Sequence, residues 1–176
     1  MRLSFITDMK IKKFGHIAFN CKDLERSIAF YQDVLGCREV FRLTYDSMLE
    51  EMKSRVPSGL IGRIFDRWIE KQKDRTWLVY LELADGIFIE LFDQIGAKKT
   101  NVPTYRNYNY QHFALIVDDI YKVKKELIAK GIKPDNDITF GPDHTYQMWL
   151  HDPDGNKFEV MQYTDQSLQI KAEHIN

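Results

Sequence analysis

Histidine and glutamate recur at matching places in the two halves of the chain. Each half contains a strand-like run that opens on a histidine and, later, a turn of the form D-G-x-x-x-E that ends on a glutamate. These segments are Gly15–Phe19 and Asp85–Glu90 in the first half, and Gln111–Leu115 and Asp154–Glu159 in the second. The side chains that could do chemistry are therefore His16, Glu90, His112 and Glu159.

A shared divalent cation explains why these residue types recur inside apolar strands. An unpaired charge among apolar side chains is costly, so each carboxylate needs a partner. Two imidazoles and two carboxylates neutralise a divalent cation and leave two adjacent coordination positions for the oxygens of an α-hydroxycarbonyl compound. As a Lewis acid, the cation would make the C–H next to the carbonyl more acidic. Imidazole and carboxylate suit zinc, nickel, cobalt, manganese and iron alike.

Composition excludes several classes of partner. The 176 residues include 25 Lys and Arg against 26 Asp and Glu, which leaves no basic surface for nucleic acid or an anionic membrane. Hydrophobic residues make up 44%, typical of a folded domain, yet no run approaches the ~18 apolar residues of a membrane span. We therefore expect a cytoplasmic protein that acts on a small molecule, without nucleic-acid or membrane partners, and with Cys21 and Cys37 as reduced thiols.

Helix and strand signals occur in the same order in both halves. Residues 22–36 predict a helix with Asp23 as its N-cap and Gly36 as its left-handed terminator. In the second half, the segment Asp118-Asp119-Ile120 precedes the corresponding helix, which ends at Gly131. Strand candidates follow at 39–45, 76–83 and 86–92, and again at 138–140, 145–151 and 157–163. The prediction is an α+β protein with two βαβββ modules, residues 11–95 and 108–164, joined through residues 98–110.

The first module carries an insertion at about residues 46–75. Glu90 follows His16 by 74 residues, whereas Glu159 follows His112 by only 47. Within the insertion, Ser58 could cap a helix whose apolar residues form one stripe at helical spacing. The stripe consists of Leu60, Ile61, Ile64, Phe65, Trp68 and Ile69. It is predicted to pack on the sheet or on a partner subunit, or else to serve as a lid or pocket wall.

The paired modules resemble the vicinal oxygen chelate superfamily, also called the glyoxalase/bleomycin resistance/dioxygenase superfamily. The resemblance runs from about Ile11 to Tyr163, and its most specific strings are G-H-I-A-F, D-L-E-R-S-I-A-F-Y-Q-D-V-L-G and D-P-D-G-N-K-F-E-V. It implies one domain in which the two modules curl into a half-open barrel around one metal. The ligands implied by the resemblance are His16 and Glu90 from the first module, and His112 and Glu159 from the second.

Within that superfamily, the His/Glu/His/Glu set resembles that of the lactoylglutathione lyases. The resemblance implies a metal-dependent lyase or isomerase that moves a proton through a metal-chelated enediolate, on a small α-hydroxycarbonyl or hemithioacetal. Glu159 would be the base, with Glu90 acting on the opposite face. Two alternatives stay open: another metalloenzyme of the superfamily, such as an epimerase or an extradiol-type dioxygenase, and a non-catalytic protein that binds a small molecule such as an antibiotic.

The resemblance also suggests substrate contacts and an assembly. Asn20 stands where the lyases often carry an arginine, and Gln94 follows the first-module glutamate. His144, in the loop before a predicted strand, is a further candidate for contact with substrate. Because an amide replaces a guanidinium at Asn20, the use of glutathione stays open. Relatives of this size often form homodimers, with the metal held within one chain or between two.

Overall fold

The computed structural model describes residues 11–47, 59–94 and 110–171. Their elements follow the order predicted for two βαβββ modules, which confirms the α+β fold class. None of the helices in these ranges is long and apolar enough to cross a membrane. The elements are β1 (His16–Cys21), α1 (Leu24–Asp33), β2 (Arg38–Thr44), α2 (Leu60–Gln72), β3 (Thr76–Ala84), β4 (Ile87–Asp93), β5 (Phe113–Ile116), α3 (Ile120–Ala129), β6 (Thr139–Phe140), β7 (Tyr146–His151), β8 (Lys157–Gln162) and α4 (Leu168–Lys171).

Each module forms a four-stranded mixed sheet in which the first and last strands are neighbours. The strand orders are β1-β4-β3-β2 and β5-β8-β7-β6. Strands β5 and β8 run parallel. Strands β1 and β4 do so too, since the backbone amides of Phe88 and Gln94 donate to the carbonyls of Gly15 and Cys21, at 3.0 and 3.2 Å. The strand that opens on a histidine therefore lies beside the strand that carries the glutamate.

Aspartates cap the N-termini of the two module helices. The carboxylates of Asp23 and Asp119 each accept a hydrogen bond from the backbone N–H three residues on, at 3.1 and 2.9 Å. Beyond α1, Gly36 adopts a φ of 75°, a conformation that side chains with a Cβ rarely adopt. Local sequence signals thus set where these helices begin and end.

The insertion forms helix α2, whose apolar stripe is only partly buried. Ile69 is 1% exposed, whereas Leu60 and Ile64 are 66% and 60% exposed. Ser58, the predicted cap, lies outside the described residues, and Gly59 occupies the N-cap position. Packing therefore accounts for part of the stripe, and a role as a lid or pocket wall stays a prediction.

Both cysteines are buried, and neither forms a disulfide bond within the described residues. Burial raises the pKa of Cys21 to about 12 and that of Cys37 to about 11. Since the thiolate is the reactive form, neither sulfur is an effective nucleophile at neutral pH.

Helix α1 contributes to the core of the second sheet. The structure groups residues 21–36 with residues 93–176 in one compact unit, and places β2, α2, β3 and most of β1 and β4 in another. Phe30 and Leu35 pack against the apolar cluster that contains Phe158 and Val160 of β8. The helix that the sequence assigns to the first module thus covers strands of the second. The boundaries at 11–95 and 108–164 stay a prediction.

Hydrogen bonds connect helix α1 to the D-P-D-G-N turn between β7 and β8. The Tyr31 hydroxyl, on a fully buried side chain, donates to the Asp152 carboxylate at 2.9 Å. The Ser27 hydroxyl donates to Asp154 at 3.1 Å. Asp152 also accepts from the backbone amides of Asp154 and Asn156, at 2.9 and 2.8 Å. The acidic residues of this motif therefore have a structural role.

Replacing Tyr31 by Phe removes one donor from the buried Asp152 and should lower the free energy of unfolding by about 1–3 kcal/mol. Urea unfolding followed by circular dichroism measures the change. Tyr121→Phe is the matched control, because that side chain is 53% exposed and the loss there should stay below about 0.5 kcal/mol. Equal stability of the two variants would show that the bond to Asp152 contributes nothing.

Candidate functional site

Each module brings its predicted histidine and glutamate side by side. The His16 Nε2 and Glu90 Oε2 atoms are 3.4 Å apart. In the second module, the His112 Nε2 and Glu159 Oε2 atoms are 3.5 Å apart. Both pairs arise in the same way, from the neighbouring first and last strands of a module. The four residues predicted as metal ligands are therefore found as two equivalent pairs, and their role as ligands stays a prediction.

The spacing within the pairs is wider than that of a direct ion pair. Charge-assisted hydrogen bonds between nitrogen and carboxylate oxygen are typically about 2.7–2.9 Å long. His151 and Asp135 form such a contact in this protein, with Nδ1 and Oδ2 at 2.6 Å. The nitrogen and oxygen atoms of the two site pairs lie further apart, at 3.4 and 3.5 Å.

Burial sets the charge state of the second pair. Burial raises the pKa of Glu159, and the negative charge of Asp143 is a second, smaller cause of the same shift. Burial lowers the pKa of His112, and the positive charge of Lys157 is a second, smaller cause of the same shift. The imidazole is therefore neutral at neutral pH, which is the form that binds a metal.

The His112 ring is held by packing as well as by its glutamate. Its edge meets the Trp149 ring at a centroid distance of 4.8 Å and an interplanar angle of 88°. Its Nδ1 atom is buried and has no hydrogen-bond partner among the residues that the structure describes. Metal-binding histidines usually donate this second N–H to a carboxylate or carbonyl. Here the tryptophan is the contact that orients the ring.

The donor types fit a divalent cation, and each module supplies two of them. Imidazole nitrogen and carboxylate oxygen together suit zinc, nickel and related metals. Across residues 11–47, 59–94 and 110–171, no three His, Cys, Asp or Glu side chains form a group that could hold a metal ion. Neither pair by itself supplies the three or more protein ligands that metal centres of this kind use.

Three further residues at the pairs were missed by the sequence analysis. Tyr80 on β3 lies directly opposite Glu90, and Trp149 on β7 lies directly opposite Glu159. The Lys157 Nζ atom lies 4.0 Å from the centroid of the Trp149 ring, in a cation–π contact. The signal that could have identified the two aromatic residues is the hairpin register, counted back from each D-G turn.

Tyr80 lies close enough to Glu90 for the carboxylate to act on its phenol. Burial, followed by the negative charge of Glu90, raises the pKa of Tyr80. The phenol therefore stays protonated at neutral pH.

Two of the predicted substrate contacts lie along the first sheet. Asn20 is exposed and lies on the same face of β1 as His16, since alternate residues of a strand share a face. Gln94 directly follows β4, and its backbone N–H donates to the carbonyl of Cys21 at 3.2 Å. Contact of either residue with a substrate stays a prediction.

His144 is held in the left-handed region, with a φ of 64°. Its Nδ1 atom lies 3.2 Å from the Gln166 carbonyl oxygen, and its own carbonyl accepts from the hydroxyls of Thr164 and Ser167 at 2.8 and 3.0 Å. These bonds compensate the strain and tie the turn to the segment after β8. The structure thus gives His144 a role in holding this turn, and its contact with a substrate stays a prediction.

Replacing His16 or His112 by Ala removes one nitrogen donor from a pair and should weaken metal binding by more than about tenfold. The measurement is elemental analysis after equilibration with zinc or nickel. His151→Ala is the control, because this histidine already has a direct partner in Asp135. Unchanged metal content in both site variants would overturn the assignment.

Two curated relatives are lactoylglutathione lyases. The chain is 29% identical over 153 residues to the lactoylglutathione lyase of Haemophilus influenzae, covering 84% of this chain and 90% of that protein. It is 25% identical over 154 residues to the probable chloroplastic lactoylglutathione lyase of Arabidopsis thaliana, covering 86% of this chain. The match spans only 36% of the length of the Arabidopsis protein.

The fold is shared with solved structures of other function. The crystal structure of the fosfomycin resistance protein FosX from Listeria monocytogenes has a TM-score of 0.57 at 16% identity, covering 90% of this chain and 99% of that one. At this identity the likeness establishes the fold alone. Residues 13–160 match the family model of the Glyoxalase/Bleomycin resistance protein/Dioxygenase superfamily, and the chain belongs to that superfamily.

Proposed function

We propose that this protein is a metal-dependent lyase or isomerase that moves a proton next to a carbonyl in a small α-hydroxycarbonyl or hemithioacetal. The observation that carries the proposal is the duplicated His–Glu pair, with nitrogen and oxygen 3.4 and 3.5 Å apart. The two relatives named as lactoylglutathione lyases support the same reaction class. Duplication favours a shared metal, because solvent exposure gives no reason for the same types to recur at the same positions.

The cation would be held by His16 and Glu90 from one module and by His112 and Glu159 from the other. Zinc and nickel are the first candidates, followed by cobalt, manganese and iron. When bound, such a cation supplies Lewis-acid polarisation of the substrate carbonyl.

Glu159 is the proposed general base. It is 7% exposed, and burial raises its pKa. Its carboxylate lies 3.5 Å from the His112 Nε2 atom and accepts no hydrogen bond from a residue in the described ranges. A buried carboxylate with a raised pKa is the kind of group that both takes and returns a proton near neutral pH.

In the proposed reaction, Glu159 takes the proton from the carbon that carries the hydroxyl group. The electron pair of that C–H bond forms a carbon–carbon double bond while the carbonyl π pair moves to its oxygen. The protonated carboxyl then returns the proton to the former carbonyl carbon, and the hydroxyl proton passes to the former carbonyl oxygen, so that the first carbon becomes the new carbonyl. Atoms and electrons balance without an oxidant or reductant. Lys157, close enough to influence both His112 and Glu159, would offset part of the negative charge that develops on the substrate. Asn20 and Gln94 are proposed to bind the remainder of the substrate.

Glu159→Gln should reduce turnover of a hemithioacetal by about 10²–10⁴-fold, because the amide cannot accept the proton. Thioester formation is followed by its ultraviolet absorbance, with hemithioacetals of glutathione and of simpler thiols compared. Glu126→Gln, on the exposed side of α3, is the control.

Full activity of Glu159→Gln would exclude this residue as the base. Iron dependence with oxygen uptake, in place of thioester formation, would support the dioxygenase alternative and overturn the isomerase.

We further propose that the protein is a homodimer, with each metal held either within one chain or by one pair from each subunit. Two inactive variants distinguish these arrangements: one with His16→Ala and Glu90→Gln, the other with His112→Ala and Glu159→Gln. If the sites are shared, one site of a mixed dimer receives both intact pairs, so mixing the variants by refolding or co-expression should restore activity. If each mixed dimer recovers up to about half of the activity of a wild-type dimer, the result supports a site shared between the subunits. A mixture as inactive as its components, although mixed dimers form, places each site within one chain.

A further inference from the structure

The repeat places a cation beside one glutamate and an apolar ring beside the other. Phe88 lies two positions before Glu90, and Lys157 lies two positions before Glu159. Each of these side chains emerges on the same face of its sheet as the glutamate, because alternate residues of a strand share a face. Since the first module fills this position with phenylalanine, the fold itself does not require a cation there.

The ammonium group of Lys157 contacts an aromatic ring and not a carboxylate. Its Nζ atom lies 4.0 Å from the centroid of the Trp149 ring, and Trp149 lies directly opposite Glu159. Among the residues that the structure describes, no carboxylate lies within ion-pair distance of this nitrogen. His151, which faces Lys157 across the hairpin, is paired with Asp135 at 2.6 Å. The charge of Lys157 is therefore held near Glu159 by an uncharged partner.

Protection of a sheet edge does not explain this lysine. Lysines on edge strands discourage association between sheets, whereas β8 is an inner strand, between β5 and β7. The side chain is partly buried, so the ammonium group gives up some of its hydration where it contacts Trp149. A cation–π contact is weaker than a charge-assisted hydrogen bond to a carboxylate. An anionic group of a ligand would thus be a better partner for Lys157 than the ring is.

We propose that Lys157 is a specificity-determining residue that binds a carboxylate attached next to the reacting carbons of the substrate. The substrate class is then a small α-hydroxycarbonyl compound that is also a carboxylic acid. The inference rests on the proposed function, because it takes His112 and Glu159 as the pair at the reacting carbons. In that proposed centre the metal offsets the charge of Glu159, which leaves the charge of Lys157 for the substrate.

The reach of the side chain agrees with a carboxylate close to the reacting carbons. Two residues along a strand correspond to ~6.6 Å, a separation that a lysine side chain and one or two carbon–carbon bonds span together. The charge of Lys157 acts on both His112 and Glu159, which places the ammonium group near each of them.

Hydroxypyruvate and hydroxyacetone are a matched pair of probes, because a carboxylate in the first takes the place of a methyl group in the second. The protein is equilibrated with zinc, and exchange of the hydroxymethyl protons for deuterium is followed by NMR in D₂O. Exchange without protein is subtracted. This measurement reports the proposed proton abstraction without requiring a product to accumulate, and it gives kcat/KM for each compound.

Lys157→Met keeps an unbranched side chain that can pack on Trp149 and removes the charge. It should lower the ratio of kcat/KM for hydroxypyruvate over hydroxyacetone by about tenfold or more, mainly through KM, because one charge-assisted hydrogen bond is lost. Loss of the charge that offsets the developing negative charge should lower the turnover of both compounds alike, so the ratio reports the carboxylate alone. Lys157→Arg should retain most of the preference. Lys125→Met, at an exposed position of α3, is the control.

An unchanged ratio in Lys157→Met would overturn the inference and leave the proposed proton transfer intact. A preference for hydroxypyruvate that came from the metal would give this result. Exchange of neither compound by the wild-type protein would instead count against the proposed reaction, and binding would then decide the role of Lys157.

Binding is measured from the indole NMR signal of Trp149, identified by its absence in Trp149→Phe. If hydroxypyruvate shifts this signal at concentrations where hydroxyacetone does not, and Lys157→Met abolishes the difference, the carboxylate site stands without the reaction. Equal responses to the two compounds, or an equal difference in Lys157→Met, would overturn the inference as well.

Discussion

The parallel pairing of the first and last strands in each module is the constraint on which the rest of this structure depends. Parallel neighbours cannot be joined by a tight turn, so a helix and two further strands must separate them along the chain. Residues 74 and 47 positions apart thereby become neighbours across one ladder. The distance between imidazole and carboxylate in each pair is a consequence of this topology, and no local motif could produce it.

Features that depend on neighbouring residues could be predicted from the sequence. Asp23 caps its helix as predicted, and Gly36 has the predicted positive φ. The pairing of histidine with glutamate in each module could also be predicted, because the duplication links two otherwise weak signals. Because the histidine and the glutamate occupy equivalent positions in the two modules, the same two side chains lie close together in each.

Features that depend on tertiary contacts could not be predicted in the same way. Tyr80 and Trp149 lie opposite the glutamates because of the strand register. A register shift of one residue would place each aromatic side chain on the other face of its sheet. The apolar spacing of α1 shows that one face is buried and does not show which sheet covers it. In α2, the same stripe contains the buried Ile69 and the exposed Ile64, a difference that periodicity does not resolve.

The packing of α1 has a consequence for how the chain can be divided. Phe30 and Leu35 precede residues 95–109, whereas the Phe158 and Val160 side chains that they cover follow them. A protease cut or a gene truncation in that segment would leave an orphaned amphipathic helix on one fragment and an uncovered apolar sheet on the other. The unit that is repeated in the sequence is therefore not a unit that folds alone, and separately expressed halves of this chain would be prone to aggregate until they recombine.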